Sequence, residues 1–205
     1  MAGECINAMS AELSNLNAPG AAAAGRCAVW LFAYGSLLFK IDFPFIERRA
    51  ASVLHWQRRF WQGSHDHRGL EHDPGRVVTL VPAPAERCHG RAFLVEPEVF
   101  DHLDHREKNG YERIAVEIVF ASGSARGVVY RASEDNPAYL GPAPLAQLAA
   151  QINRCAGPSG ANRDYVLELA RALRSMGYAD PHVFDVEAAV LASDGPHPRD
   201  AEALE

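Results

Sequence analysis

The chain has 205 residues, of which 48% are hydrophobic and 22% are charged, so it is long enough for a buried core and has the composition of a globular protein. Its formal net charge is −6 and its Lys and Arg residues form no cluster, which argues against nucleic acid as a partner. The sequence shows no C-x-x-C pair, no basic and apolar leader, and no apolar run of the roughly 20 residues that a membrane span needs. We therefore expect a cytoplasmic protein with free thiols and no membrane partner.

Two terminal stretches differ in composition from the rest of the chain. Residues 1–27 are rich in Ala, Asn, Gly and Ser and show little apolar periodicity, and residues 194–205 begin with a polar, Pro-containing run. Both compositions are typical of segments that do not join a packed core. We expect one domain over residues 28–193, between a disordered N-terminal extension and a flexible tail.

The first half of this domain is predicted to be mainly β-structure. Val29–Ala33 is an apolar run that leads into Tyr34-Gly35-Ser36, a pattern typical of a buried strand followed by a loop. Three further strands are predicted where aromatic or β-branched residues are frequent: 55–62, 76–81 and 88–95. Pro97 suits the first helical position, N1, of a short helix that runs to about His105.

The second half combines a hairpin with helices. From Glu112 onwards apolar residues occupy every second position, and Ser122-Gly123-Ser124 turns the chain into a strand over 127–131. Apolar spacing and flanking Gly, Pro and Asn residues predict three helices: 145–155, a segment with Asn162 as its N-cap, and 182–191. Because the helices follow the strands instead of alternating with them, the fold class is predicted to be α+β.

The loop Tyr34-Gly35-Ser36-Leu37 is a candidate anion-binding site. A strand that ends in a glycine-containing loop presents backbone N–H groups that suit a carboxylate or a phosphate. A simple turn after a core strand is the alternative, and the tetrapeptide alone favours it. The loop matches neither G-x-x-x-x-G-K nor G-x-G-x-x-G.

Glu107 is a candidate for proton transfer. It follows the predicted short helix and precedes a turn at Asn109-Gly110. A Glu between Arg106 and Lys108 is in most proteins a solvated charge. If its side chain instead faced a pocket, burial would raise its pKa from about 4.3 toward neutrality, where a carboxyl group transfers protons well.

Other kinds of site have weaker support in the sequence. His65 and His67 have the spacing of two metal ligands on one strand face, with Asp66 or Asp73 as a third ligand. A polar surface loop explains the same residues equally well, and we expect no metal. A covalent nucleophile is also unexpected, because G-x-S-x-G is absent and the cysteines at 88 and 155 lie in apolar segments where buried thiols are inert.

Seven short blocks carry a family resemblance from about Val29 to Leu191. They are Tyr34-Gly35-Ser36-Leu37, Arg58 to Ser64 with Asp66 to Gly69, Pro74 to Val81, Arg106 to Tyr111, Asp135 to Pro144, Ala156 to Gly160, and Asn162 to Tyr165. Taken in this order, the blocks resemble the ChaC-type, glutathione-specific γ-glutamylcyclotransferases. The chain departs from that pattern at Asn109, where glycine is usual, and at His65, where threonine is usual. Both departures are tolerable, since Asn is the residue that best replaces Gly in a left-handed turn.

The resemblance implies a small mixed β-barrel flanked by helices, without a metal or an organic cofactor. It implies that the loop Tyr34–Leu37 binds the γ-glutamyl group and that Glu107 acts as general base and then general acid. Glutathione would then yield 5-oxoproline and Cys-Gly, because its own α-amine attacks its γ-carbonyl. Orientation is the main requirement of such an intramolecular attack.

Three further residues are expected at the site with less support. Tyr111 and Tyr165 are candidate hydroxyl partners of the substrate, although packing alone explains a tyrosine equally well. Glu98 matches a second carboxylate of the family, although a favourable interaction with the helix dipole also explains it. Arg59 could pair with a substrate carboxylate, and an outward-facing strand residue is the simpler interpretation.

Three other functions stay open from the sequence. They are a cyclotransferase for other γ-glutamyl amino acids or amines, a γ-glutamyl-binding module without activity, and a metal hydrolase that uses His65 and His67. The oligomeric state is not predicted.

Overall fold

Five strands close into a barrel in the order β1-β3-β2-β4-β5. The structure is a computed structural model that describes residues 28–107 and 110–193. The strands are β1 Val29–Ala33, β2 Glu47–Ser64, β3 Gly75–Val95, β4 Tyr111–Phe120 and β5 Gly123–Ala132. Strands β1 and β5 pair in parallel and the other neighbours pair antiparallel, so the predicted mixed barrel is confirmed.

Helices flank the barrel, which confirms the predicted α+β class. They are α1 Val99–Arg106, α2 Leu145–Arg154, α3 Asn162–Ser175 and α4 Pro181–Ala192. A 3-10 turn at Ser36–Leu38 follows β1, and a small hairpin of β6 Ala156–Gly157 and β7 Gly160–Ala161 joins α2 to α3. None of the helices in the described ranges is long and apolar enough to cross a membrane. The predicted terminal extensions, residues 1–27 and 194–205, lie outside these ranges.

One continuous core joins the barrel to the helices. On the barrel side, Phe60 and Leu80 are fully buried. On the helix side, α3 buries the predicted stripe of Val166, Leu169, Ala170 and Leu173. The three- and four-residue spacing of this stripe turns one face of α3 toward the core, so that α3 is fixed against β3 and the turn after β1.

The strand boundaries differ from the prediction in β2 and β3. Residues 76–81 and 88–95, predicted as two strands, belong to the single strand β3. This strand pairs with β2 on both sides of a bulge, which lies between the pair Leu54 and Arg87 and the pair Trp56 and Pro82. Prolines at 82 and 84 lie at and beside this bulge, where a strand tolerates residues without an N–H donor. Strand β2 begins eight residues before the predicted start. The sequence did not indicate this part of the strand, because its first residues are mostly exposed and show no apolar alternation.

Three local predictions also need correction. Asn162 does not cap α3: Ala161 is the N-cap, and the Asn162 side chain is buried and bonds both backbone groups of Arg76 at 2.6 and 2.8 Å. Pro97 precedes α1 by two residues, with Glu98 at the N-cap. The hairpin turn lies at residues 121–122, since Phe120 already pairs with Gly123.

Candidate active site

One end of the barrel carries two adjoining cavities. The outer one is a cleft of about 700 Å³, open solvent included, and the inner one, beneath the turn after β1, measures about 360 Å³ on the same basis. Both are lined by Ser36, Glu107, Tyr111 and Tyr165. These four residues come from the turn after β1, the end of α1, the start of β4 and α3. Glu107 thus borders both cavities.

The turn Tyr34–Leu37 borders the inner cavity. Gly35, at the N-cap of the 3-10 turn, is not helical, and the first bond of the turn runs from Leu38 N–H to the Gly35 carbonyl at 3.0 Å. Within residues 28–107 and 110–193, the N–H groups of Gly35, Ser36 and Leu37 have no acceptor. Three adjacent unsatisfied donors suit a carboxylate, and binding of a substrate by this loop stays a prediction.

Gly35 also has a steric role. A Cβ atom added at this position would lie 3.1 Å from both the Tyr165 hydroxyl oxygen and a methyl group of Val78. A side chain here would require these neighbouring side chains to move by a few tenths of an ångström, so glycine favours the close approach of the turn to α3 and β3.

Arg58 fixes the turn from behind and was missed by the sequence analysis. Its side chain is fully buried, and its Nε donates to the Tyr34 carbonyl at 2.6 Å. Its other nitrogens donate to Asp180 at 2.5 Å and to the His89 carbonyl at 2.6 Å. The residue lies in a strand with several arginines, so nothing in the sequence distinguishes it from Arg59.

Arg59 lines neither cavity. Its guanidinium donates to the Arg58 carbonyl at 2.7 Å and to the Gln57 side chain. Arg59 is therefore a strand residue that faces away from the site, which is the simpler of its two interpretations.

Glu107 is held at the C-cap of α1, where its N–H donates to the Leu103 carbonyl at 2.8 Å. Its side chain is only 17% exposed. Burial raises the pKa of Glu107 to about 7, with Arg106 acting in the opposite direction and Asp42 and Asp66 adding to the increase. A solvated charge, the alternative interpretation, is excluded by this burial.

Arg106 connects Glu107 to the turn and was also missed. Its Nε lies 3.5 Å from the Glu107 carboxylate, and its terminal nitrogens donate to Asp42 at 2.5 Å and to the Ser36 hydroxyl at 3.0 Å. A solvated charge run seemed the simplest explanation of residues 105–108. The partners Ser36 and Asp42 are more than sixty residues away in sequence, so only the fold brings the three together.

The two predicted tyrosines, Tyr111 and Tyr165, both line the cleft. The Tyr111 hydroxyl donates to the Val78 carbonyl at 2.9 Å, and the Tyr165 hydroxyl accepts from the Val78 N–H at 3.4 Å. Burial raises the pKa of Tyr165 to about 12 and raises that of Tyr111 well above its ordinary value, so both hydroxyls are neutral near pH 7. The Tyr165 proton has no acceptor among the described residues, which leaves it free to donate to a bound molecule.

The turn that follows Glu107 is fixed by Asn136. Gly110 has φ +84°, and its carbonyl accepts from Asn136 Nδ2 at 2.5 Å. The side-chain oxygen Oδ1 of Asn136 in turn accepts from the Ala138 N–H at 2.7 Å and from Gln62 Nε2 at 3.3 Å. Asn109, where the chain departs from the family pattern, lies outside the described residues.

Glu98 is the one predicted site residue that lines neither cavity. It is exposed at the N-terminal end of α1, the end opposite Glu107, and lines neither cavity. Its role as a second carboxylate of the site stays a prediction.

Of the histidine pair, His67 lines the cleft and His65 does not. His65 Nδ1 is 3.3 Å from the Glu71 carbonyl, and His67 Nδ1 is 3.1 Å from the Ser159 hydroxyl. Within the described ranges, no three His, Cys, Asp or Glu residues lie close enough together to hold a metal ion. Cys88 and Cys155 are buried, and burial raises the pKa of each thiol to about 11, which makes both poor nucleophiles.

Comparisons with known proteins agree on one family. A Danio rerio protein named glutathione-specific γ-glutamylcyclotransferase 1 is 40% identical over 84% of this chain and 94% of its own length. An Arabidopsis thaliana protein named γ-glutamylcyclotransferase 2-3 is 42% identical over 78% of this chain and 86% of its own. A crystal structure of the yeast γ-glutamyl cyclotransferase specific to glutathione superposes with a TM-score of 0.77 at 28% identity, over 84% of this chain and 99% of the yeast chain.

The family model for ChaC-like proteins matches residues 29–193, which include every residue that lines the two cavities. This chain belongs to the ChaC-like protein family.

Proposed function

We propose that this protein is a γ-glutamylcyclotransferase that converts glutathione into 5-oxoproline and Cys-Gly. The observation that carries the proposal is the position of Glu107, a buried carboxyl group with a pKa of about 7 beside a turn with three free backbone donors. The relatives named for glutathione support the choice of substrate.

The turn Tyr34–Leu37 is proposed to bind the α-carboxylate of the γ-glutamyl group through its free N–H groups. This contact would place the α-amine near Glu107, because Ser36 and Glu107 line both cavities. The attack closes a five-membered ring within one molecule, so holding the substrate in this geometry provides much of the acceleration. The nucleophile belongs to the substrate, and the protein needs no Ser or Cys for it.

Glu107 is proposed to move the protons. The α-ammonium group must lose one proton before its nitrogen can attack the γ-carbonyl carbon. That nitrogen loses a second proton as the ring closes, and the cysteine nitrogen gains a proton as its bond to the carbon breaks. A carboxyl group whose pKa lies near the pH of the reaction can accept a proton in the first step and return it in the second. Tyr165, whose hydroxyl proton is free among the described residues, is proposed to donate to the oxygen that becomes negative during the attack.

The test is the release of 5-oxoproline. Incubation of the protein with glutathione should yield 5-oxoproline and Cys-Gly, with far less product from γ-glutamyl-alanine. Product from γ-glutamyl-alanine but not from glutathione would instead identify a cyclotransferase for other γ-glutamyl compounds. Binding of glutathione without any product would identify a binding module, and activity that chelators remove would identify the metal hydrolase.

A further inference from the structure

Arg68 is a positive charge held in a fixed position in the outer cleft. It follows β2, its side chain is 11% exposed, and it lines the cleft. Its Nη1 donates to the Ala161 carbonyl at 3.0 Å, and its guanidinium lies over the Tyr165 ring, 5.8 Å from the ring centre. These two contacts fix the side chain before any substrate binds.

The guanidinium of Arg68 retains unused donors. An arginine side chain has five N–H groups, and among the described residues only the bond to Ala161 uses one. The acidic neighbour is Glu168, 3.6 Å from Nη2 and 42% exposed, too far away for a hydrogen bond. Arg68 can therefore donate hydrogen bonds to a carboxylate without losing an existing bond.

The other cations that line the cleft differ from Arg68. Arg106 is already bound to Asp42 and Ser36. Lys40 is exposed, and the side chain of His67 is 48% exposed beside Asp66. Arg68 alone among these cleft residues is both nearly buried and without a hydrogen-bonded carboxylate.

Tyr165 contacts both Arg68 and residues that line the inner cavity. Its hydroxyl lies against Gly35 and Val78, next to the turn, while its ring carries the guanidinium of Arg68. Arg68 and the proposed γ-glutamyl site are therefore next to two parts of the same tyrosine, and Arg68 lines the same cleft as Glu107. In glutathione, the two residues Cys-Gly separate the γ-carbonyl from the terminal carboxylate, and two extended residues span about 7 Å. A tripeptide whose γ-carbonyl lies near Glu107 would extend its terminal carboxylate along the cleft that Arg68 lines.

We propose that Arg68 binds the glycine carboxylate of glutathione and is the residue that distinguishes this tripeptide from shorter or uncharged γ-glutamyl compounds. This inference rests on the proposed function and adds a specificity-determining residue to it. A planar guanidinium suits the recognition of a carboxylate, because two parallel N–H groups can bind its two oxygens.

The test compares glutathione with its C-terminal amide, which differs only by the loss of the terminal negative charge. The unmodified protein should prefer glutathione by about 10- to 100-fold in kcat/KM, the range expected of a charge-assisted hydrogen bond. In Arg68→Gln this preference should fall to about one, through a higher KM for glutathione with a nearly unchanged KM for the amide. Arg68→Lys keeps the charge without the planar fork and should retain part of the preference.

Arg171→Gln is the matched control, because Arg171 is exposed on α3 and lines neither cavity. It should leave the preference unchanged. If Arg68→Gln keeps the full preference, or lowers both substrates by the same factor, Arg68 is structural and the inference is overturned while the proposed function stands. If the unmodified protein releases 5-oxoproline from neither compound, the proposed function fails, and this inference fails with it.

Discussion

The guanidinium of Arg106 lies 3.5 Å from the carboxylate of Glu107 and binds Ser36 and Asp42 through its other nitrogens. Two opposing charges therefore act on one buried acid: Arg106 lowers the pKa of Glu107 and Asp42 raises it. Burial exceeds both, so the pKa is about 7.

This balance predicts the pH dependence of the reaction. As a general base, Glu107 must be deprotonated in the free enzyme, so kcat/KM for glutathione should fall as the pH is lowered through about 7. Arg106→Gln removes the charge that favours the carboxylate and should move this midpoint upward, whereas Asp42→Asn should move it downward. Profiles of kcat/KM against pH for the three proteins measure the shifts. A midpoint near 4.5 in the unmodified protein would contradict the role of Glu107.

Replacement of Glu107 itself should separate binding from turnover. Glu107→Gln preserves the shape of the side chain but cannot accept the proton, so 5-oxoproline release should fall by at least about 100-fold. Glutathione binding, measured by calorimetry, should persist. Glu86→Gln is the control, since Glu86 is exposed on β3 and lines neither cavity, and it should keep full turnover. Retained activity in Glu107→Gln would refute the assignment.

The regular elements were predictable because their signals are local. The apolar run Val29–Ala33, the alternation in β4 and the stripe of α3 all have the periodicity of the structure that they form. Asn162 was misassigned for the opposite reason. An Asn at a helix start favours a cap, but its partner is the backbone of Arg76, eighty-six residues earlier, and sequence spacing does not show that pairing.

The same limit applies to the site. The loop Tyr34–Leu37 and Glu107 were identified through short blocks that resemble a family, and not through their residue types. Arg58, Arg68 and Arg106 were assigned no role, because an arginine that fixes a turn and an arginine on the surface have the same appearance in a sequence. Burial and distant partners distinguish them, and both depend on the closed barrel.

Arg58 should be essential for stability. Removing one partner of a buried ion pair costs about 3–5 kcal/mol, since the other charge is left without compensation. Asp180, its partner, is 17% exposed and also caps α4 by accepting from the Val183 N–H. We expect Arg58→Met to lower the free energy of unfolding by more than Arg59→Met, measured by urea denaturation. Equal losses in the two variants would contradict the anchoring role of Arg58.

Gly110 should be intolerant of substitution for two separable reasons. Its φ of +84° is a left-handed conformation that costs a residue with a side chain about 1–3 kcal/mol, and an added Cβ would lie 2.0 Å from Asn136 Nδ2. Gly110→Ala should therefore lower both the unfolding free energy and kcat, because the turn begins at Glu107.

The double variant Gly110→Ala/Asn136→Ala separates the two causes. Asn136→Ala alone should destabilise the protein, because it removes the bond to the Gly110 carbonyl. In the Gly110→Ala background the same change also removes the clash, so its effect should be smaller or reversed. Comparing the unfolding free energies of the four proteins gives the coupling. If the two losses simply add, contact with Asn136 does not restrict this position, and the left-handed conformation alone explains why it must be glycine.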